Sequence, residues 1–545
     1  MRRIALAMGP VCALVVATVP AIPAHSQIPA RSASPAPHAS RAPATPARTN
    51  GLDTSTRSLG TSYVSVSWNW IKAASGYRVQ VSRHQDFSDV ITTRKTRNAP
   101  RRPTGGRQAT TVGHLRDATF YWTRVCKVRG NQKGAWSTPV KVATRAAVPD
   151  RFTAVKGVAG PNPGETTIKW STGGSHTDLY RITTALTPFG SARTPAVGRH
   201  SMKFTVRGGD RRRVTLTPEQ TALAGAGLGT GRHLFFRIVA VRKGPVDSQS
   251  RRYPYLMHTT IAGEASTMHG SRLRYAAYNM HVQSVDLPGH PWKDRQYLIA
   301  KNIARYHPAV VSLEELMPGM WTNADGGIGL QAALRRTGVG NYKLVRETGY
   351  FPGNPGDTHL LYDATQVQPT SVCDPTVPSC YIDLPDPRHD HVAAYARFKD
   401  LASGQEFYAV SAHLTAGNDA NTDALRGRQA AAIAAGMLQV NRQNLPVVFG
   451  SDFNSSQTSP GVDAPHTAML QAGWYNTLAA AKPINTQFNS VNKYVTQHPS
   501  PYGFGSMYDT IMTFNLPGAD VFKQVLTGAP WPSDHNLVFA DLRLP

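Results

Sequence analysis

Polar and apolar side chains alternate strictly along Tyr63-Val64-Ser65-Val66-Ser67-Trp68, and again along Gly76-Tyr77-Arg78-Val79-Gln80-Val81 and Phe120-Tyr121-Trp122-Thr123-Arg124-Val125. A period of two buries one face of a pleated strand, so residues 57–147 are expected to be all-β, with turns between the strands. Residues 148–266 repeat the pattern in a diverged form: Thr166-Thr167-Ile168-Lys169-Trp170, Leu179-Tyr180-Arg181-Ile182 and Phe235-Phe236-Arg237-Ile238-Val239-Ala240-Val241 are its strands, and Arg211-Arg212-Arg213 adds charge. The period changes near residue 271. An apolar run at 273–278 predicts a strand. Ile299, Ile303 and Tyr306 stand at i, i+4 and i+7 and predict an amphipathic helix from Trp292 to Tyr306, which His307-Pro308 ends. A strand at 309–313 follows, and an alanine-rich helix is expected at 425–438. Alternating strands and helices predict one α/β domain over residues 271–545.

The N-terminus reads as a processed leader. Arg2 and Arg3 precede an apolar stretch from Ile4 to Ile22, and Ala24-His25-Ser26 supplies small residues for cleavage. Residues 1–26 are therefore expected to be a signal peptide. Residues 27–56, rich in Pro, Ala, Ser and Arg, are expected to be a disordered basic linker. No other segment is apolar for long enough to cross a bilayer, so a secreted, extracellular protein without a transmembrane segment is expected, as a monomer. Cys12 leaves with the leader. Cys373 and Cys380 flank a turn-rich hexapeptide and are expected to form a small-loop disulfide, and Cys126 to be a buried free thiol. The net charge is +26, and its location matters more than its size. The residues from Arg272 onward sum to −2 and those before it to +28. The N-terminal half is expected to attract polyanions: nucleic acid, an anionic cell-wall polymer or an acidic lipid surface. Plain solubility is the alternative reading.

Candidate chemistry sits at the strand ends of the last domain. The expected strands end at Asn279, at Glu314-Glu315 and at His413, and the strand at 445–449 delivers Gly450-Ser451-Asp452-Phe453-Asn454. Asp509 precedes an apolar run, and Ser533-Asp534-His535 precedes the final strand. If the segment stays extended past a break at Gly450, Asp452 and Asn454 project to one face and Phe453 to the other, which suits handling of water, a hydrated cation or phosphate. An Asx-turn gives the same letters. The other pieces have plain readings too: solvated acids, a core histidine, a surface ion pair, a turn cap. Their common place at strand ends of one sheet edge is what points to a site.

Two resemblances follow from these residues. Leu115, Thr119 and Tyr121 fall in the order Leu-x-x-x-Thr-x-Tyr of a tyrosine corner, and with Trp68 or Trp70 as core tryptophan the first β segment resembles a fibronectin type III domain. The second segment resembles a diverged copy. The order Asn279, Leu313-Glu314-Glu315, Ala412-His413-Leu414, Ser451-Asp452-Phe453-Asn454, Tyr508-Asp509-Thr510-Ile511 and Ser533-Asp534-His535 resembles the endonuclease/exonuclease/phosphatase superfamily, over roughly 272–545. That resemblance implies a four-layer α-β-β-α sandwich preceded by two β sandwiches, and a phosphoesterase dependent on Mg²⁺, Mn²⁺ or Ca²⁺. It implies Glu315 as the metal ligand, with Asn279 and Asp534 completing or neighbouring the metal site. Asp452 and Asn454 would orient the attacking water and hold the phosphate. His535 would activate that water or stabilise charge, and His413, held by Asp509, would be the second cationic or acid group. Which histidine is base and which acid stays open. Arg426 and Arg428 are candidates for substrate phosphate. Ser451 and Glu314 depart from the family's glycine and glutamine. The implied activity is an endonuclease acting on DNA. The alternatives are a sphingomyelinase-type lipid phosphodiesterase, which would want an exposed apolar hairpin such as Pro501-Tyr502-Gly503-Phe504-Gly505, or a phosphatase, and a non-catalytic wall- or polyanion-binding protein.

Overall fold

A computed structural model of the chain describes residues 52–545 except 99–105, 173–175, 188, 190–200, 251–256, 323–327, 346–349, 352–353, 356, 371–380, 388–390 and 458–462. The leader, most of the linker, and Cys373 with Cys380 lie outside the described residues. Two compact units are present, one built on Tyr63–Gly113 and Phe120–Val142, the other on Ala143–Pro545 with two short stretches before it.

In the first unit, strands Thr54–Ser58, Val64–Asn69 and Arg107–Val112 form one sheet. Val90–Arg97, Gly76–Ser82, Phe120–Arg129 and Gln132–Trp136 form the other, with Val140–Ala143 also paired to Phe120–Arg129. Val64, Val66 and Trp68 all face inward, as the alternation requires, and Trp68 packs its ring on Tyr77 at 5.1 Å between centroids. Trp70 is only half-buried, so Trp68 is the core tryptophan. Cys126 is a buried free thiol. The strand Thr54–Ser58 takes in residues expected to be linker. Its residues are all Thr, Ser and Arg, so no apolar side chain marks it, and its backbone pairing with Val64–Asn69 is what makes it a strand. In the second unit, Phe152–Ala159, Thr166–Thr172 and Arg213–Leu216 repeat the three-stranded sheet, and Met202–Arg207, Leu179–Ala185, His233–Arg242 and Ser248–Gln249 form the five-stranded one with His258–Thr260, which also pairs with His233–Arg242. This second β module shares its compact unit with the α/β layers.

Those layers hold two larger sheets. The first runs Tyr342–Leu344, His359–Asp363, Val310–Glu314, Arg272–Asn279, Val538–Arg543, Val521–Gln524 and Lys482–Ile484. The second runs Val367–Pro369, Val392–Asp400, Glu406–His413, Val447–Asp452, Asp509–Phe514 and Tyr475–Asn476, with Tyr381–Asp383 beside Val392–Asp400. Leu273, Tyr275 and Ala277 of the first sheet meet Phe407, Ala409, Val448 and Ile511 of the second in one core. The intervening Ala276 and Tyr278 turn to the outer face, under Ile299 and Ile303 of helix Trp292–Tyr306 and Leu330 and Leu334 of helix Gly329–Arg336. Val410, Val447 and Phe449 turn to the second sheet's outer face, under Ile433 and Met437 of helix Ala420–Val440. Four layers result, helix, sheet, sheet, helix. Strands buried on both faces read as continuous apolar runs, which is how they look in the sequence.

Helix Ala420–Val440 starts five residues before its expected first residue because Asp419 caps it, accepting from the amides of Asn421 and Thr422 at 2.9 and 3.0 Å. The other departure is at Gly450. The strand does not break there but continues to Asp452. At Gly450 the two sheets approach closely: a Cβ would lie 2.8 Å from Ser312 Oγ and 2.9 Å from Tyr275 Cε1. Those two groups are themselves tied to each other and to the Val410 carbonyl by buried hydrogen bonds of 2.6 to 3.0 Å. Gly450→Ala is expected to cost about 1–3 kcal/mol by overpacking, measured as a fall in denaturation midpoint. An unchanged midpoint would show that the sheets can give way at this point.

Candidate active site

Register brings the polar strand ends together. In the second sheet His413 lies beside Asp452 across a parallel pair, and Asp452 lies beside Asp509 across an antiparallel pair. In the first sheet Asn279 lies beside Glu314 across a parallel pair. Both parallel pairs finish at the same edge, so the two sheets present one rim of polar groups.

Asp452 is the centre of that rim, and it is 1% exposed. Its Oδ1 accepts from the Asn454 amide at 2.8 Å, an Asx-turn that Asn454 completes with φ +47°. Its Oδ2 accepts from Asn279 Nδ2 at 3.2 Å and lies 3.6 Å from His413 Nε2 and 3.8 Å from His535 Nε2. The turn and the catalytic reading therefore coexist: one oxygen makes the turn and the other faces the site. Phe453 packs away, against Phe449 and His466. The Asn454 side-chain Nδ2 donates to the Leu414 carbonyl at 2.9 Å and lies 3.0 Å from His413 Nε2. Ser451 is buried and its hydroxyl donates to the Ala412 carbonyl, so the serine fits inside the strand.

Each histidine has a carboxylate behind it. His535 Nδ1 lies 3.0 Å from both oxygens of Asp509. Burial opposes the charged imidazole, but Asp509 and Asp452 outweigh it and hold the pKa of His535 well above the ordinary value. His413 Nδ1 lies 2.7 Å from Asp357 Oδ2. Burial again opposes the charge, and Asp357, Asp452 and Glu315 overcome it, so His413 is pushed up to about 10. The expected His413–Asp509 pair is thus corrected. Asp509 stands two strands from His413 in the same sheet, with Asp452 between them, and its carboxylate is taken by His535 while His413 Nδ1 is taken by Asp357.

Comparison with known proteins gives the following. No protein-family model matches the chain, and no curated protein matches it. Solved structures similar to it include an endonuclease/exonuclease/phosphatase from Bacteroides vulgatus, 17% identical, covering 50% of this chain and 100% of the other at a TM-score of 0.39. A mannosyl-6-phosphatase from Bacteroides thetaiotaomicron is 18% identical over 50% and 99%, also at 0.39. The human Nocturnin catalytic domain with bound sulfate anion is 15% identical over 52% and 98%, at 0.36.

Glu315 stands on the first-sheet side of the rim, with φ +61°. Its Oε1 accepts from Asn279 Nδ2 at 2.9 Å and its Oε2 from the Val282 amide at 2.8 Å. One N–H on each oxygen fixes the carboxylate's direction and leaves lone pairs on both, which suits a hard divalent cation taking oxygen ligands. Asn279 is buried beside it; its Nδ2 donates to both Glu315 and Asp452, and its Oδ1 accepts from the His281 amide at 2.9 Å. Asp452, Asp509 and His535 also present possible ligand atoms within 4.8 Å of one another. Asp534 stands next to this group, and its Oδ1 lies 3.0 Å from Nδ1 of His281, whose backbone amide donates to Asn279 Oδ1. Glu314 is fully buried behind the rim, and neither of its oxygens has a hydrogen-bond partner among the described residues. Burial first, then Asp509 and Asp452, push its pKa well up, which favours the neutral acid.

One expected group leaves the site. Arg426 is buried, and its guanidinium donates to the Thr415 and Gly417 carbonyls at 3.0 and 2.8 Å. It closes the loop after the His413 strand and has no free face for a phosphate. Arg428 is exposed two residues further along the helix. Conversely, sequence reasoning missed Asp357, His281 and Arg295. Arg295 is 1% exposed and donates to the carbonyls of Met280, His281 and His290 at 2.6 to 2.8 Å and to Asp286 at 2.6 Å. It moulds the loop that follows Asn279. An arginine on the apolar face of an otherwise amphipathic helix was the available signal.

Proposed function

We propose that this chain is a divalent-metal-dependent phosphodiester hydrolase and that nucleic acid, DNA foremost, is its substrate. One observation carries the reading: Asp452 Oδ2 lies between the Nε2 atoms of two histidines, each backed by its own carboxylate, and a single amide ties it to Glu315. Two cationic imidazoles facing one carboxylate make a pocket for a phosphate and a water in line with it. Asp452 and His535 orient the water, with Asp509 fixing the imidazole. His413 and Asn454 hold phosphoryl oxygens and meet the charge that builds on them. Glu315 and Asn279 would hold a divalent cation, which supplies Lewis-acid polarisation of the phosphate when bound. The β modules, read as fibronectin type III-like, and the strongly basic sequence upstream would retain a polyanion by salt-sensitive contacts, as suits a secreted enzyme acting on DNA or tethered to an anionic wall polymer.

Among the described residues no helix is long and apolar enough to cross a membrane. The lipid reading rests on one observation. Val285, Leu287 and Val495 are exposed on neighbouring loops, joined where Tyr494 packs on His281 and His290. Purified protein is expected to nick supercoiled plasmid with Mg²⁺ and to stop when EDTA is added. Glu315→Gln should raise the Mg²⁺ needed for half-maximal rate by roughly tenfold or more, on the scale that changes around a metal site produce. Hydrolysis of sphingomyelin with plasmid untouched would replace the substrate and leave the site. Undiminished activity in EDTA would remove the metal.

A further inference from the structure

The loop between Lys482–Ile484 and Asp509–Phe514 leaves the α/β layers, visits the second β module and returns to deliver Asp509. Its tip is seated in that module. Phe504 stacks on His233 with ring centroids 4.3 Å apart and meets Phe235 edge-on at 5.8 Å. Ala185, Phe189, Phe235 and Phe504 make one buried cluster. Burial pushes His233 down to about 4, so its ring is neutral and stacks as an apolar group. The backbone is fitted as closely as the ring. Gly503 has φ +74°, and a Cβ there would lie 2.0 Å from the imidazole of His258. A Cβ on Gly505 would lie 1.9 Å from the Phe488 carbonyl oxygen. Of the hairpin that a lipid enzyme would expose, Phe504 and Gly505 are turned inward, while Pro501 and Tyr502 stay exposed.

From this anchor, hydrogen bonds run to the catalytic pair. The Ser506 amide donates to Asn489 Oδ1 at 2.9 Å, and the Ser490 amide donates to the Ser506 carbonyl at 2.9 Å. Ser490 Oγ accepts from the amides of Tyr508 and Asp509 at 2.8 and 3.1 Å. The Ser490 carbonyl accepts from the Asn536 amide at 2.8 Å, and Val491 bridges His535. Ser490 thus grips the backbone on both sides of the Asp509–His535 pair, and Phe504 fixes the loop that carries it.

We infer that Phe504, seated in the second β module, is a positioning residue for Asp509 and His535, and that this module is part of the catalytic device rather than a spacer. The inference rests on the phosphodiesterase reading for its kinetic readout. Phe504→Ala and Phe235→Ala in the full chain are expected to lower kcat on a chromogenic phosphodiester by about 10–100-fold, the penalty of misplacing catalytic groups by up to an ångström, with KM unchanged. They should also speed amide exchange at 488–492 and 506–509. Phe504→Leu keeps the apolar volume and should fall between. Ile168→Ala is the control: Ile168 is fully buried in the same module's other core cluster, which contains none of these residues. It should lower the melting temperature without changing either readout. Unchanged exchange in both Phe504 variants, or an equal kcat loss in Ile168→Ala, would overturn the inference. Should the wild type hydrolyse no phosphodiester, the functional reading falls, and the exchange experiment still decides the positioning.

Discussion

His535→Ala is expected to lower phosphodiester hydrolysis at neutral pH by about 10²–10⁴-fold, the range that a positioned proton-transfer group supplies. The size follows from where the imidazole stands. Its Nδ1 is committed to Asp509, so only Nε2 is available for chemistry, and that atom faces Asp452 Oδ2 across 3.8 Å. Alanine removes the group that orients the water and leaves Asp509 buried without its partner. The loss should therefore appear in single-turnover rate more than in substrate affinity. Asp509→Asn keeps the volume but cannot hold the charged imidazole, and should give a smaller loss in the same quantity. Full activity in His535→Ala would sink the mechanism.

The second large effect is a pH profile. His413 is pushed up to about 10 from an ordinary value of 6.5, with Asp357 its strongest charged partner. A raised folded pKa means that the charged form persists below about 10 and is lost as pH rises through it. The stability it contributes is likewise complete below the ordinary value and lost through the same upper limit. Wild-type activity should hold well into the alkaline range. Asp357→Asn should pull the alkaline limb toward neutrality, so the variant loses far more rate at pH 9 than at pH 6. Superimposable profiles would mean that charged His413 is not required.

The helix Trp292–Tyr306 and the strands of the α/β layers were legible because burial imposes a period, and period survives in a single sequence. The rim was legible for a related reason, since polar residues directly after buried strands have few structural uses in such numbers. Pairing within the rim was not. Asp509 and His413 both stand at strand ends, and nothing local says that Asp452 separates them or that His535 reaches across from the other sheet. Asp357 follows a glycine in a loop with no pattern around it, so its partner is set only by tertiary approach. Phe504 misled for the opposite reason. An aromatic between two glycines looks exposed, and its burial depends on a module more than 200 residues earlier in the chain.

The hydrogen-bond pairs around Asp452 also settle the electrostatic balance of the rim. Asp509 with His535, Asp357 with His413 and Asp534 with His281 each combine one acid and one imidazole, and each pair is neutral as a unit when its imidazole is charged. Burial drives Glu314 toward its neutral form. What stays unbalanced is Asp452 and Glu315, joined by the same Asn279 amide. Two uncompensated negative charges equal the charge of one divalent cation. By itself such a rim repels a phosphodiester anion, and with that cation it does not, so the ion's first service would be to admit the substrate before any bond is broken.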